Sequence, residues 1–94
     1  MDENAIKELI EKIENKEIDA ITFTSPLTVE NFFKIADDKE KLAKLLNDNL
    51  LTVCIGPITA KVLEKYDIAY IYPDTYTVPD MMELLFKTWR EENE

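Results

Sequence analysis

The sequence predicts an α/β protein: a three-stranded parallel sheet flanked by helices, in the order α-β-α-α-β-α-β-α. Three observations carry this. Segments with apolar residues three and four apart alternate with short β-branched and aromatic runs. Strands separated by helices pair in parallel through right-handed crossovers. Two junctions share one layout: an apolar run stops at Ser25-Pro26-Leu27-Thr28 or at Gly56-Pro57-Ile58-Thr59, and a helical pattern follows.

Ala5, Ile6, Leu9, Ile10 and Ile13 recur at helical spacing, with Lys and Glu between them. This predicts a one-faced helix over residues 3–15, ended by Asn15, Lys16 and Glu17. Residues 18–24 read as a strand, because Ala20-Ile21-Thr22-Phe23 is short, apolar and β-prone. Thr28 is the expected N-cap of a helix over 29–36. Asp37 and Asp38 interrupt it. A second helical run with Leu42, Leu45 and Leu46 on one face extends to about Asn47. Residues 50–55 form the second strand, which Gly56-Pro57 breaks. A helix over 58–66 follows, with Ile58, Val62 and Leu63 inward. The third strand spans 68–72 and turns at Pro73-Asp74. Thr77-Val78-Pro79-Asp80 is a helix start: a hydroxyl cap, an early proline and an acid three residues on. Met81, Met82, Leu85, Phe86 and Trp89 line its core face to about Arg90, and residues 91–94 fray. With no linker or low-complexity tract, residues 1–94 read as one α/β domain.

Composition narrows the function. Net charge is −9, so nucleic acid and anionic membrane surfaces are not expected partners. The chain has no histidine, which removes the commonest general base and zinc ligand. Its one cysteine, Cys54, allows neither an internal disulfide nor a thiolate cage, and on an apolar strand it reads as a buried hydrophobe. No metal or organic cofactor is expected. No apolar run approaches the ~20 residues of a membrane span, and the acidic start is not a signal peptide. A cytoplasmic setting is the default expectation.

The two junctions are the candidate site. A helix that starts at the carboxyl end of a parallel strand aims free N–H groups at the place where open α/β sheets hold ligands, and such starts favour anions. Thr24, Ser25 and Thr28 offer hydroxyls at the first junction, where plain helix capping is the competing reading. The pattern resembles the phosphate loop of flavodoxins without that loop's glycine. Gly56 is the only glycine. Its place at a strand end predicts either a positive φ or a close backbone approach. Thr59 falls in the first helical turn, and Lys61 is the nearest cation. The acids Glu8, Glu11, Glu14 and Glu17 read as a solvated helix face, and Asp37, Asp38 and Asp74 as turn residues. Tyr66, Tyr70, Tyr72 and Tyr76 surround the third strand as core or rim residues.

Taken in order, Asp19 to Pro26 with Thr28-Val29-Glu30-Asn31-Phe32, then Ile55-Gly56-Pro57-Ile58-Thr59-Ala60, then Tyr76-Thr77-Val78 and a Met-Glu-Leu-Leu helix, resemble the carboxy-terminal part of uroporphyrinogen-III synthase. The resemblance runs from about Leu9 to Phe86. It implies half of a flavodoxin-like lobe in a two-lobed cytoplasmic lyase of tetrapyrrole synthesis, which works without a cofactor. That enzyme closes linear hydroxymethylbilane to uroporphyrinogen III and inverts the last ring. Ser25, Thr28, Gly56, Ile58 and Thr59 are then the candidate substrate-binding residues. No catalytic residue follows, because the tyrosine discussed as an acid in the family lies upstream of this match. The second lobe, the linker and two strands of this lobe have no counterpart here, so the 94 residues alone are expected to be inactive.

Nothing in residues 18–24 blunts an edge, which predicts a homodimer paired through that strand. Two other readings stand beside the enzyme fragment: a free-standing dimerising module, and a small protein that binds phosphate or carboxylate.

Overall fold

The computed structural model describes residues 3–94. Helix α1 (Glu3–Glu14) leads to strand β1 (Ala20–Phe23), helices α2 (Pro26–Ile35) and α3 (Lys39–Asn49), strand β2 (Leu51–Cys54), helix α4 (Pro57–Lys65) and helix α5 (Val78–Asn93). The α/β class and the helix order match the sequence reading, and the strand count does not. β1 and β2 pair in parallel with Ala20 opposite Leu51 and Phe23 opposite Cys54, as a two-stranded sheet.

The expected third strand is a single parallel bridge between Val53 and Ile71. Cys54 N–H donates to Ile71 O at 3.0 Å, and Ile71 N–H donates to Thr52 O at 3.1 Å. The segment before Ile71 is held by a side chain instead. Asn47 Oδ1 accepts the Ala69 N–H, and Asn47 Nδ2 donates to Asp67 O, both at 2.8 Å. That clamp takes the amide a longer ladder would use.

The strands alternate between two faces, as period-two side chains must. Ile21, Phe23 and Cys54 face α1 to α4, where Ile6, Ile13, Val29, Phe32, Phe33, Leu46 and Leu63 complete the larger core. Val53 faces the other way onto Met81 and Leu85 of α5, with Ala20, Leu51 and Ile71 around it. Two residues expected in that core stand outside it: Phe86 is 55% exposed and Trp89 40%. Met81 and Leu85 sit four apart and fill the strip over the sheet, which leaves Phe86 and Trp89 on the flank. The helix also continues through residues 91–93 where fraying was expected.

Helices α1 and α4 end on left-handed turns at Lys16 and Asp67, each with φ 59°. In both, two backbone N–H groups fold back on the last turn: Lys16 to Ile13 O and Glu17 to Lys12 O, then Asp67 to Glu64 O and Ile68 to Leu63 O. Asp38 caps α3 through the Lys41 N–H at 3.0 Å, which is why the Asp37-Asp38 interruption is a restart.

Candidate functional site

Parallel strands deliver their following helices to the same end of the sheet. α2 leaves β1 and α4 leaves β2 at that end, and the two helices pack on each other. Each opens identically in outline. A cap residue (Ser25 or Gly56) precedes a proline at the first helical position, then an exposed aliphatic residue, then a threonine. Ile58, expected inward, is outside because the buried face of α4 runs through Thr59, Ala60 and Leu63 instead. Proline fits there because its missing N–H would have no helical partner anyway. All five candidate residues, Ser25, Thr28, Gly56, Ile58 and Thr59, therefore meet at one end.

Their chemistry differs. Ser25, not Thr28, is the N-cap of α2. Its Oγ accepts the Thr28 N–H at 3.2 Å and lies 2.8 Å from the Thr28 hydroxyl, so the two side chains satisfy each other. Gly56 caps α4 with no side chain. The first helical bond there runs from Ala60 N–H to Gly56 O at 3.1 Å. The Ile58 and Thr59 N–H groups precede it and meet no acceptor among the described residues. Thr59 itself is 2% exposed, so it offers this end its backbone donor and keeps its side chain packed inward.

Gly56 has φ −177° and ψ −173°, extended backbone that any residue adopts. The positive φ is thus corrected, and the close approach is what is found. A Cβ at Gly56 would stand 3.1 Å from Tyr76 Cγ and 3.2 Å from Cδ1. Tyr76 meets Tyr72 edge-on at 6.0 Å, and Tyr72 stacks on Tyr70 at 6.1 Å. The Tyr70 hydroxyl donates to the Glu64 carboxylate, which pushes Tyr70 up to about 12. Sequence reasoning gathered these tyrosines without giving Tyr76 a place. The lone glycine was the available signal, and the path of residues 73–77 decides which ring fills it.

The helices behind the site are tied together. Glu30 of α2 accepts the Tyr66 hydroxyl at 2.7 Å and Lys65 Nζ at 3.2 Å, and Phe33 stacks on Tyr66 at 4.3 Å. The Tyr66 hydroxyl, then Lys65, hold the Glu30 carboxyl below its ordinary value. Cys54 is fully buried, and that burial pushes its thiol up. Lys61 is exposed on α4. Among the described residues no cluster of His, Cys, Asp or Glu side chains could hold a metal ion, and no helix is long and apolar enough to cross a membrane. A groove lined by Ile10, Ile35, Asp38 and Lys41 lies at the other end of α2, away from these helix starts.

Together these features define an open parallel α/β protein with two helix starts at the carboxyl end of its strands, one closed and one open. The family model described as uroporphyrinogen-III synthase HemD matches residues 1–83. A Methanothermobacter thermautotrophicus protein provisionally named uroporphyrinogen-III synthase is 43% identical over 84 residues, covering 89% of this chain and 33% of that one. A Methanocaldococcus jannaschii protein with the same provisional name is 48% identical over 80 residues, covering 85% and 30%. A solved uroporphyrinogen III synthase from the extremely thermophilic bacterium Thermus thermophilus has the same fold, with a TM-score of 0.89, 24% identity, and coverage of 99% of this chain and 37% of that one. The chain belongs to the uroporphyrinogen-III synthase family. It spans about a third of the length of those two relatives.

Proposed function

We propose that this chain is the carboxy-terminal part of one lobe of a uroporphyrinogen-III synthase, a single α/β unit over residues 1–94 acting in cytoplasmic tetrapyrrole synthesis. In the whole enzyme, a lyase, hydroxymethylbilane loses its terminal hydroxyl as water. The electrophilic azafulvene that results closes through a spiro intermediate, which inverts the last ring. The part given to this chain is to hold substrate carboxylates at the end where Ser25, Thr28, Gly56, Ile58 and Thr59 meet, with the donors supplied by the open start of α4. The open start of α4 carries the reading: two N–H donors without acceptors among the described residues stand at the carboxyl end of a parallel strand. The substrate bears many carboxylates and the chain is net −9, so local donors must do what cations do elsewhere. Such helix-start effects are worth ~0.3–1 kcal/mol each at exposed positions.

The cleft needs an opposing wall, so the isolated chain is expected not to catalyse. Spontaneous closure of hydroxymethylbilane gives the uninverted type I isomer. Incubation with this chain should yield that isomer alone, and an excess of type III would overturn the need for a second lobe. In a full-length relative, the Thr59→Ala equivalent keeps the backbone donor and should leave ring closure unchanged, and slowed closure by a folded variant would move the contact to the buried Thr59 hydroxyl. Thermal shifts separate this reading from general anion binding. Uroporphyrin should stabilise the chain by mass action where inorganic phosphate does not.

The reading keeps self-pairing through residues 18–24, because no other described strand occupies the outer edge of β1. A stable monomer at micromolar concentration in sedimentation would remove that part.

A further inference from the structure

We infer that Tyr76 is an aromatic platform within this site, taking the face of a pyrrole ring, and that position 56 is glycine so that the platform can sit there. This rests on the tetrapyrrole reading above and assigns a contact within it.

Three observations converge. The first is the fit between Tyr76 and Gly56. Backbone conformation gives no reason for glycine at position 56, whereas a Cβ there would press on the Tyr76 ring at 3.1 Å. Contacts that tight force a neighbour to move. The second is exposure. Tyr76 is 56% exposed although its ring is held by Gly56 and Tyr72, so the packing fixes the ring without burying it. A tyrosine recruited only to fill space would be covered. The third is the company it keeps. Leu27 is 67% exposed and Ile58 72%, each at the second position of the helix that starts at this end. Exposed apolar side chains gathered at one place mark a binding surface, and ligand sites combine apolar walls with a few placed polar groups.

The ligand this surface fits is an apolar, flat ring that carries carboxylate arms. The ring lies on Tyr76, at the end of the sheet that also carries Leu27 and Ile58, and an arm reaches the Ile58 and Thr59 N–H groups. Ring-on-ring contact is the source of affinity, so the phenol hydroxyl is dispensable. That distinguishes a platform from a proton donor.

The test is uroporphyrin binding to the 94-residue chain, followed by porphyrin fluorescence, with thermal melts of every variant. Tyr76→Phe should bind as the parent does. Tyr76→Ala and Gly56→Ala should each weaken binding about tenfold, the scale of one aromatic contact. Adding Gly56→Ala to Tyr76→Ala should cost nothing further in affinity or melting temperature, because the clash has been removed. Equal binding by the parent and Tyr76→Ala overturns the platform and leaves the tetrapyrrole reading standing. So does a Gly56→Ala effect that persists without Tyr76. Failure of the parent to bind uroporphyrin removes both. Should Tyr76→Ala melt too low to assay, Gly56→Ala against Gly56→Ala/Tyr76→Phe gives the same decision: weakened binding in both supports the platform, and unchanged binding rejects it.

Discussion

Ser25-Pro26-Leu27-Thr28 and Gly56-Pro57-Ile58-Thr59 occupy equivalent places one strand apart, and the difference lies in a single side-chain oxygen. Ser25 Oγ closes the first helix start by taking the Thr28 N–H. Gly56 has no such atom, and the second start keeps its donors. A capped start is stable and chemically finished. An uncapped one is less stable and still able to bind. The missing side chain, from its Cβ outward, also leaves the room that the Tyr76 ring occupies. The comparison teaches that a repeated turn motif can divide its labour: one copy closes and anchors the sheet end, and the other keeps the open donors to which the proposed function assigns the ligand.

The largest expected effect breaks what both junctions depend on. Phe33→Ala removes a fully buried ring that stacks on Tyr66 and so joins α2 to α4. Such truncations cost about 3–5 kcal/mol, a large share of the ~5–15 kcal/mol available to a domain. Urea or thermal unfolding should show the variant mostly unfolded or nearly so. A loss below about 1 kcal/mol would mean that the two helix starts are positioned independently.

Next comes the closed junction. Ser25→Ala deletes the cap of α2 and should cost about 1 kcal/mol, a drop of ~4–8 °C in melting temperature at this chain length. Uroporphyrin affinity should change less than stability, since the Ser25 oxygen is already committed to Thr28. A variant that melts normally but binds poorly would move the ligand contact to the first junction.

The open junction should respond in the opposite sense. Gly56→Ser supplies a cap worth a few tenths of a kcal/mol over glycine but brings a Cβ against Tyr76. Stability should stay within ~0.5 kcal/mol of the parent while uroporphyrin binding falls. Unchanged binding would show that the free donors of α4 are not used.

The smallest effect is electrostatic. Glu30 has its carboxyl held down by Tyr66 and Lys65, so the folded state favours its ionised form. A depressed carboxyl contributes stability that is complete above its ordinary value of 4.5 and disappears as pH falls through the lowered folded value. The group is at the surface, so melting temperature should decline only slightly more steeply below pH 4.5 in the parent than in Glu30→Gln. Identical pH profiles would show the tie between α2 and α4 to be carried by the Phe33–Tyr66 stack alone.

Much of this is readable from the residues, and the failures have physical causes. Five helices follow from apolar spacing, because a one-faced helix must repeat its buried side chain every three or four residues. The convergence of Ser25, Thr28, Gly56, Ile58 and Thr59 follows from parallel pairing alone. The third strand shrinks to a bridge although Ile68 to Tyr72 is β-prone, because Asn47, twenty residues upstream of Asp67, decides where the Ala69 amide goes. No local pattern reports such a clamp. Placing the α2 cap at Thr28 starts the helix one turn too late, since Pro26 can open a helix as readily as precede one. Tyr76 escapes a local reading because its role depends on a ring crossing a backbone twenty residues away, at Gly56.

Every rung between β1 and β2 joins residues separated by the whole of α2 and α3. The order in which the chain acquires its structure follows from this. Helical turns form from neighbours, whereas the ladder must first close a loop whose entropy is lost before any pairing rewards it. The two helix starts belong to segments able to form early, but they come side by side only when that loop closes. Ligand competence should therefore appear in refolding with the slowest phase, after most of the helical signal has returned.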